Sequence, residues 1–448
     1  MKHNICSLLF LLLHMLTPDF LQAQDAAPYT LQQLKDSALK NNHMLAIKEW
    51  TIGEKKAKIS EDEIKKYPSA MLNGNYQYNF ILGDITIPAG TIGELPLSPT
   101  NIVLLPNTDK SFTVGEHNNY NIGITAYQPI TQQAKIKTGL QVDRMEVMLT
   151  EKEKQKISLQ IRQGVERLYY GTLIAQKKLE EANAKLELAK ARLEDLENAL
   201  LAGKTINANK AGLQANIADE EQNILKLTIQ IQDYLGDLAN LTGIRTGLIK
   251  LTETEPATDQ PATVSAYKTT AMSSGIDLQI ANINKSKALL GIKAAKQGNR
   301  PDLGLIAGYA YQAGNPLLPA NNPFVGLNLK WNLQEIFSNK QTIKQREFLL
   351  KQAEENIAYV TEQMNNDIEK AYRKINESKM LMLVAQKAVG YRKEEVKVEE
   401  DRRAAGYNVN TDLLNTKSLL AKAEADMYAA RLSYLLAVSD LKFLVGEP

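Results

Sequence analysis

The spacing of apolar residues switches twice from a helical period to a strand period and back. From Leu179 the apolar positions run Leu179, Ala182, Leu186, Ala189, Leu193, Leu196 and Leu200, in alternating steps of three and four. That is the seam of a long heptad helix. A second seam runs through Leu213, Ile217, Glu220, Ile224, Leu227, Ile231, Tyr234, Leu238 and Leu241, and its counterpart between Thr416 and Leu444 is rich in small residues that permit close helix approach. Residues 70–80 and 120–127 behave differently: they are rich in Gly, Asn and Tyr and alternate at roughly every second residue. The same pattern returns at 303–312 and 324–331, so four strands are predicted. Helices are predicted over 31–66, 131–201, 208–240 and 335–404. At 1.5 Å per residue the helix over 131–201 would extend roughly 105 Å, and its counterpart is similar.

The order of elements occurs twice. YPSAMLNGNYQY, starting at Tyr67, aligns with RPDLGLIAGYAY, starting at Arg300, and places Pro68 on Pro301, Tyr76 on Tyr309 and Tyr78 on Tyr311. Further along, Gly203 aligns with Gly406 and Gly243 with Gly446. The first offset is 301 minus 68, or 233, and the second is 406 minus 203, or 203. About 30 extra residues therefore lie in the first copy, where a loop can absorb them. The fold expected is mostly α with a small β part, built from a duplicated unit of strands and a long helix. The first unit is placed at 24–243 and the second at 264–448, with a Thr/Pro-rich connector over 244–263. Residues 80–119, with Pro88, Pro96, Pro99 and Pro106, read as a long irregular hairpin loop whose apolar run from Ile102 to Leu105 either covers a rim or pads it. Four strands cannot close a barrel, and their open edges are an aggregation hazard, so copies from other chains are expected to complete the ring.

Composition narrows the chemistry. Lys plus Arg is 53 against 51 for Asp plus Glu, which provides no bulk drive toward nucleic acid. The single cysteine, Cys6, and two of the four histidines lie in the first 14 residues. Neither a Cys/His metal site nor a thiol nucleophile is expected, and no cofactor is implied. Lys2 and His3 precede an apolar run from Ile5 to Leu16, followed by Leu21, Gln22 and Ala23, so residues 1–23 read as a secretory signal. With no later run long enough to cross a bilayer as a helix, the exported chain could enter a membrane only as strands. The sequence carries no G-x-S-x-G, P-loop or H-E-x-x-H motif, and catalysis is not expected.

The chain resembles the outer-membrane efflux protein family, the TolC-like channels, over nearly all of its exported length. YTLQQLKDSALKNNHMLAIKE, from Tyr29, resembles the family's first helix, and the Pro68 and Pro301 segments resemble its helix-to-strand junctions, with Pro129 at a third junction. RAAGYNVNTDLLNTKSLLAKAEA, from Arg403, resembles its helix-turn-helix tip. The resemblance implies a homotrimer with a shared 12-stranded outer-membrane barrel and a long periplasmic helical barrel. It also implies docking to a periplasmic adaptor and to an inner-membrane pump or secretion ATPase, in the outer membrane of a Gram-negative bacterium. The competing reading is a periplasmic coiled-coil adaptor without a pore, which explains the heptads but not the repeated Tyr-rich strands.

Within this frame Tyr76, Tyr78, Tyr127, Tyr309, Tyr311 and Trp331 are candidates for an aromatic girdle against lipid, although tyrosine is also simply a good strand former. Gly203 and Gly406 stand where the long helices must reverse, with Asn207, Asn410 and Thr411 as caps for the return helices. Together with Leu413 they form the candidate docking tip. The family carries an acidic pair after this turn that constricts the periplasmic entrance. Here Asp412 matches the first member and Asn415 stands at the second, so Asp412 either gates or only caps its helix. Arg402 and Arg403 are candidate partners of Asp412 across protomers.

Overall fold

The computed structural model describes residues 28–98, 101–203, 210–252, 262–316, 318–407 and 410–447. The signal reading at 1–23, residues 253–261 of the connector and Asn207 lie outside the described residues. In chain order the elements are α1 (Leu31–Asn41), α2 (His43–Ile64), β1 (Ser69–Tyr78), β2 (Gly83–Ile87), β3 (Gly93–Ser98), β4 (Asn101–Leu105), β5 (Lys110–Val114) and β6 (Asn118–Pro129). They continue with α3 (Gln133–Leu201), α4 (Lys210–Thr242), α5 (Val264–Ser274), α6 (Ile276–Gly298), β7 (Asp302–Ala313), β8 (Asn321–Lys330), α7 (Leu333–Ala404) and α8 (Asn410–Val445). The long helices α3 and α7 contain 69 and 72 residues.

The duplication extends to details that the sequence pattern does not reveal. The single helix expected over 31–66 is two helices, because Asn42 is extended and its side chain accepts from the Met44 amide at 2.9 Å, restarting the helix. Its counterpart is Gly275, 275 minus 42 or 233 residues on, where α5 gives way to α6. Gly243 and Gly446 both close their helices with positive φ, 72° and 78°.

The chain divides into two compact units. One, residues 50–151 and 280–358, carries all eight strands with the adjoining helix segments. Its main sheet is antiparallel in the order β1-β6-β7-β8, so β6 and β7 join the two repeats at the centre. Among the described residues no strand of this chain pairs with the outer edges of β1 and β8. The loop expected over 80–119 is instead a β-arm of two nested hairpins: β2 pairs with β5, and β3 with β4. Ile85 lies opposite Phe112 on one face, whereas Thr86 bonds Ser111 at 2.7 Å and Thr113 donates to Asp84 at 2.8 Å on the other.

The other unit, residues 1–49, 152–279 and 359–448, is helical in its described parts. Its core gathers Leu34, Ala38, Val165, Tyr169, Leu173, Leu238 and Leu432 from α1, α3, α4 and α8. A largely buried ion pair, Lys35 with Glu166, crosses this core, and the Ser439 hydroxyl donates to the same carboxylate. Burial pushes the neighbouring Tyr170 phenol up.

Candidate functional site

The register of the main sheet sorts its side chains by chemistry. Residues directly opposite one another share a face, so the pairing of β1, β6, β7 and β8 assigns every position. One face carries Ala70, Leu72, Tyr76 and Tyr78 from β1, then Tyr120, Ile122, Ile124 and Ala126 from β6. To these β7 adds Leu303, Leu305, Ala307, Tyr309 and Tyr311, and β8 adds Pro323, Val325, Leu327 and Leu329. The opposite face is dominated by polar and small groups, among them Asn73, Asn75, Gln77, Asn119, Asn121, Gly123, Thr125, Gly308, Gln312, Asn322 and Asn328. The apolar face lies open, uncovered by any other described part of the chain: Leu72 is 71% exposed, Ile124 50%, Val325 76% and Leu327 67%. A sheet in water buries that face, whereas a wall between lipid and water exposes it to the lipid. The four strands contain 10, 12, 12 and 10 residues, the length that crosses a bilayer when tilted.

Of the six girdle candidates, Tyr76, Tyr78, Tyr309 and Tyr311 stand on the apolar face with Tyr120. Tyr76 donates to Asn118 at 3.0 Å and Tyr309 to Asn321 at 2.5 Å, so the phenol heads are held at polar partners while the rings cover apolar strand. Tyr127 does not belong with them. It lies on the polar face across Gly304, where an added Cβ would come within 2.3 Å of its ring, and its hydroxyl donates to Gln132 at 2.9 Å. Trp331 follows β8 and donates its indole N–H to the Asn299 carbonyl at 3.3 Å.

The proline junctions are tied down by side chains from the end of β6, the link that follows it and the start of α3. Pro68 precedes β1, and the nearby Lys66 carbonyl accepts from Gln128 at 3.0 Å and Gln133 at 2.7 Å. Pro301 precedes β7, and Thr131 donates to its carbonyl while accepting from the Leu303 amide, both at 2.8 Å. Pro129 is the buried last residue of β6, four residues before α3 begins. Close by, burial and a hydrogen bond with Asp62 push the Asp143 carboxyl up. Asp62, bonded to Lys65 and Lys58, is lowered to about 2. Glu146 is lowered by its bonds to Lys287 and Lys55.

At the reversals, Gly203 and Gly406 have φ of 68° and 78°, which an L side chain adopts at a penalty. The Gly406 amide donates to Arg403 and the Tyr407 amide to Arg402, both at 3.0 Å, a Schellman closure. Asn410 is the first described residue of α8, and Thr411 donates its hydroxyl to Asp195 of α3. Leu413 is 3% exposed and therefore supports the turn from inside without presenting itself to a partner. Asn415 accepts from Arg192 of α3 at 3.0 Å, so the position where the family has its second acid is tied within the chain. Arg402 bonds Glu399 at 3.0 Å, and Asp412 is exposed in the first turn of α8. Among the described residues no group of three or more His, Cys, Asp or Glu could hold a metal ion, and no helix is long and apolar enough to cross a membrane.

The sequence of residues 270–447 matches the family profile described as outer membrane efflux protein. The fold extends the likeness over the first repeat. A membrane protein from Pseudomonas aeruginosa superposes with a TM-score of 0.71 at 14% identity, covering 93% of this chain and 90% of that one. The CmeC outer membrane channel of Campylobacter jejuni gives 0.71 at 14% identity, with 93% and 85% covered. The outer membrane protein VceC of Vibrio cholerae gives 0.70 at 15%, with 93% and 96% covered. No curated protein matches the chain in sequence. The efflux-protein resemblance read from the tip and junction motifs is thus borne out, and the chain has the fold of these channels.

Proposed function

We propose that this protein is the outer-membrane channel of a tripartite efflux or type I secretion system, a passive exit duct that performs no catalysis. The observation that carries the reading is the division of the main sheet into an exposed apolar face and a polar face, with both edges open. Three copies of a four-stranded sheet give twelve strands, enough to enclose a wet lumen lined by the Asn- and Gly-rich face. A periplasmic adaptor would have no use for a bilayer-length sheet with leucine and valine outward. In the channel reading, the turns at Gly203 and Gly406 meet a periplasmic adaptor, which links the duct to an inner-membrane pump or secretion ATPase. Asp412, exposed beside the turn, is the candidate constriction charge. Cell fractionation tests this: the protein should sediment with the outer membrane and need detergent for extraction as a heat-labile trimer. Recovery as a soluble periplasmic monomer would refute it.

A further inference from the structure

The β-arm stands on the end of the main sheet away from the helices, since β1 enters it at Tyr78 and β6 leaves it at Asn118, whereas α2 and α3 join at the other end. Its base is fixed to the rim. The Asn79 amide donates to the His117 carbonyl at 2.8 Å and the Glu116 amide to the Gly314 carbonyl at 2.9 Å, just beyond β7. Tyr78 stacks on His117 with ring centroids 5.6 Å apart. The corner between the two hairpins is tied as well: Asp109 accepts from the Ala89 amide at 2.9 Å, and the Gly90 and Ile92 amides donate to the Pro106 and Leu105 carbonyls at 3.0 and 2.9 Å. The outer hairpin is therefore held in place and not tethered.

Its two faces are both apolar. In β2–β5, Ile85 and Phe112 are backed by Asp84, Thr86, Ser111 and Thr113. In β3–β4, Leu95, Val103 and Leu105 share one face, and Pro96, Ile102 and Leu104 share the other, where Glu94 at the inner end is the one charge. From Leu95 to Thr108 the sequence carries no charged residue. Leu95 is 49% exposed and Ile102 56%, so neither face is covered by the chain. Hydrocarbon does not suit this hairpin: among the described residues β3 and β4 pair with each other alone, and open strand edges do not persist in lipid. A single partner protein would cover one face and leave the other in water. Two neighbours of the same kind cover both, which is the situation of each member of a threefold ring.

We infer that the β3–β4 hairpins of three copies pack on one another over the outer mouth of the duct, the Leu95 face of each against the Ile102 face of the next. Pro96 and the register shift beside it blunt the β3 edge against strand addition, so the contact runs through faces. The reach suffices. Twelve strands about 4.8 Å apart and tilted about 40° enclose a barrel of roughly 12 Å backbone radius, and the six residues of β3 span roughly 20 Å. This inference rests on the trimeric channel reading and adds to it an apolar closure at the end opposite the periplasmic tip.

Disulfide trapping in intact cells tests it. In a Cys6→Ser background the double variants Leu95→Cys with Ile102→Cys, and Leu95→Cys with Leu104→Cys, place one thiol on each face, where two thiols of the same hairpin point apart. Oxidation with copper phenanthroline should therefore link three chains into one covalent ring in at least one double variant and in none of the single variants. In planar bilayers the oxidised double variant should carry several-fold less current than the same protein after reduction. No covalent trimer from either double variant, links to another cell-surface protein in its place, or quenching of a fluorophore at Leu95→Cys by brominated phospholipid overturns the inference. The native mass of the parent protein separates the two levels of failure: a trimer without these links refutes the closure alone, whereas a monomer refutes the channel reading as well.

Discussion

Ile124 and Thr125 are adjacent in the middle of β6, yet the register places them on opposite faces of the main sheet. Ile124 is 50% exposed among Leu72 and Tyr309, and Thr125 lies between Met71 and Gly308 on the polar side. A lysine at position 124 would put its ammonium group in hydrocarbon near mid-bilayer, which costs ~2–4 kcal/mol per copy. The same lysine at 125 would extend into water and cost within about 0.5 kcal/mol, the range of surface substitutions. β6 is not an edge of the chain's sheet, so neither change touches a strand edge that a neighbouring copy would pair with. Urea-induced unfolding from phospholipid vesicles, with tyrosine fluorescence and retention of the heat-labile oligomer as readouts, should show a large loss for Ile124→Lys and almost none for Thr125→Lys. Equal losses, or a greater loss for Thr125→Lys, would refute the assignment of faces and with it the reasoning from register to membrane.

Other substitutions probe the remaining parts. Gly304→Val should displace the Tyr127 ring and destabilise by ~1–3 kcal/mol, and Tyr127→Ala in the same protein should restore part of that, as thermal unfolding of the double mutant will reveal. Glu146 is held below its ordinary value by Lys287 and Lys55, so its contribution to stability is present above the unfolded-state carboxylate range and is lost as pH falls through it. Stability measured from pH 7 to pH 3 should therefore fall less steeply in Glu146→Gln than in the parent. Gly406→Val should strain the reversal by ~1–2 kcal/mol and weaken adaptor cross-linking while the oligomer persists. Asp412→Asn should reduce cation preference in planar-bilayer recordings with thermal stability nearly unchanged, and unaltered selectivity would leave Asp412 as a helix-end charge only.

Much of the architecture is legible in the residue pattern because it is periodic and repeated. The four long strands, the two long helices and the glycines at 203 and 406 follow from alternation, heptads and the need for positive φ. The breaks at Asn42 and Gly275 are hidden because apolar spacing continues across them, and only local hydrogen bonding ends the helix there. The arm is hidden for a different reason. Its strands are five or six residues long and set among prolines and glycines, so neither alternation nor length distinguishes them from loop. Assigning side chains to lipid or lumen requires the register, since a shift of one residue exchanges the two faces. Hence Tyr127 reads as a girdle residue in sequence yet lies flat over Gly304 on the polar side. The same holds for Leu413, whose burial depends on how α3 and α8 meet.

The central claim is that several copies of this chain jointly form a water-filled duct through the outer membrane. Planar-bilayer conductance of detergent-purified protein, with the mass of the conducting particle measured by native mass spectrometry, tests it most directly. The account predicts discrete ion-conducting steps from a particle of three chains and none from the single chain. Conductance by a monomer, or a stable trimer that inserts into lipid and carries no current, would contradict it.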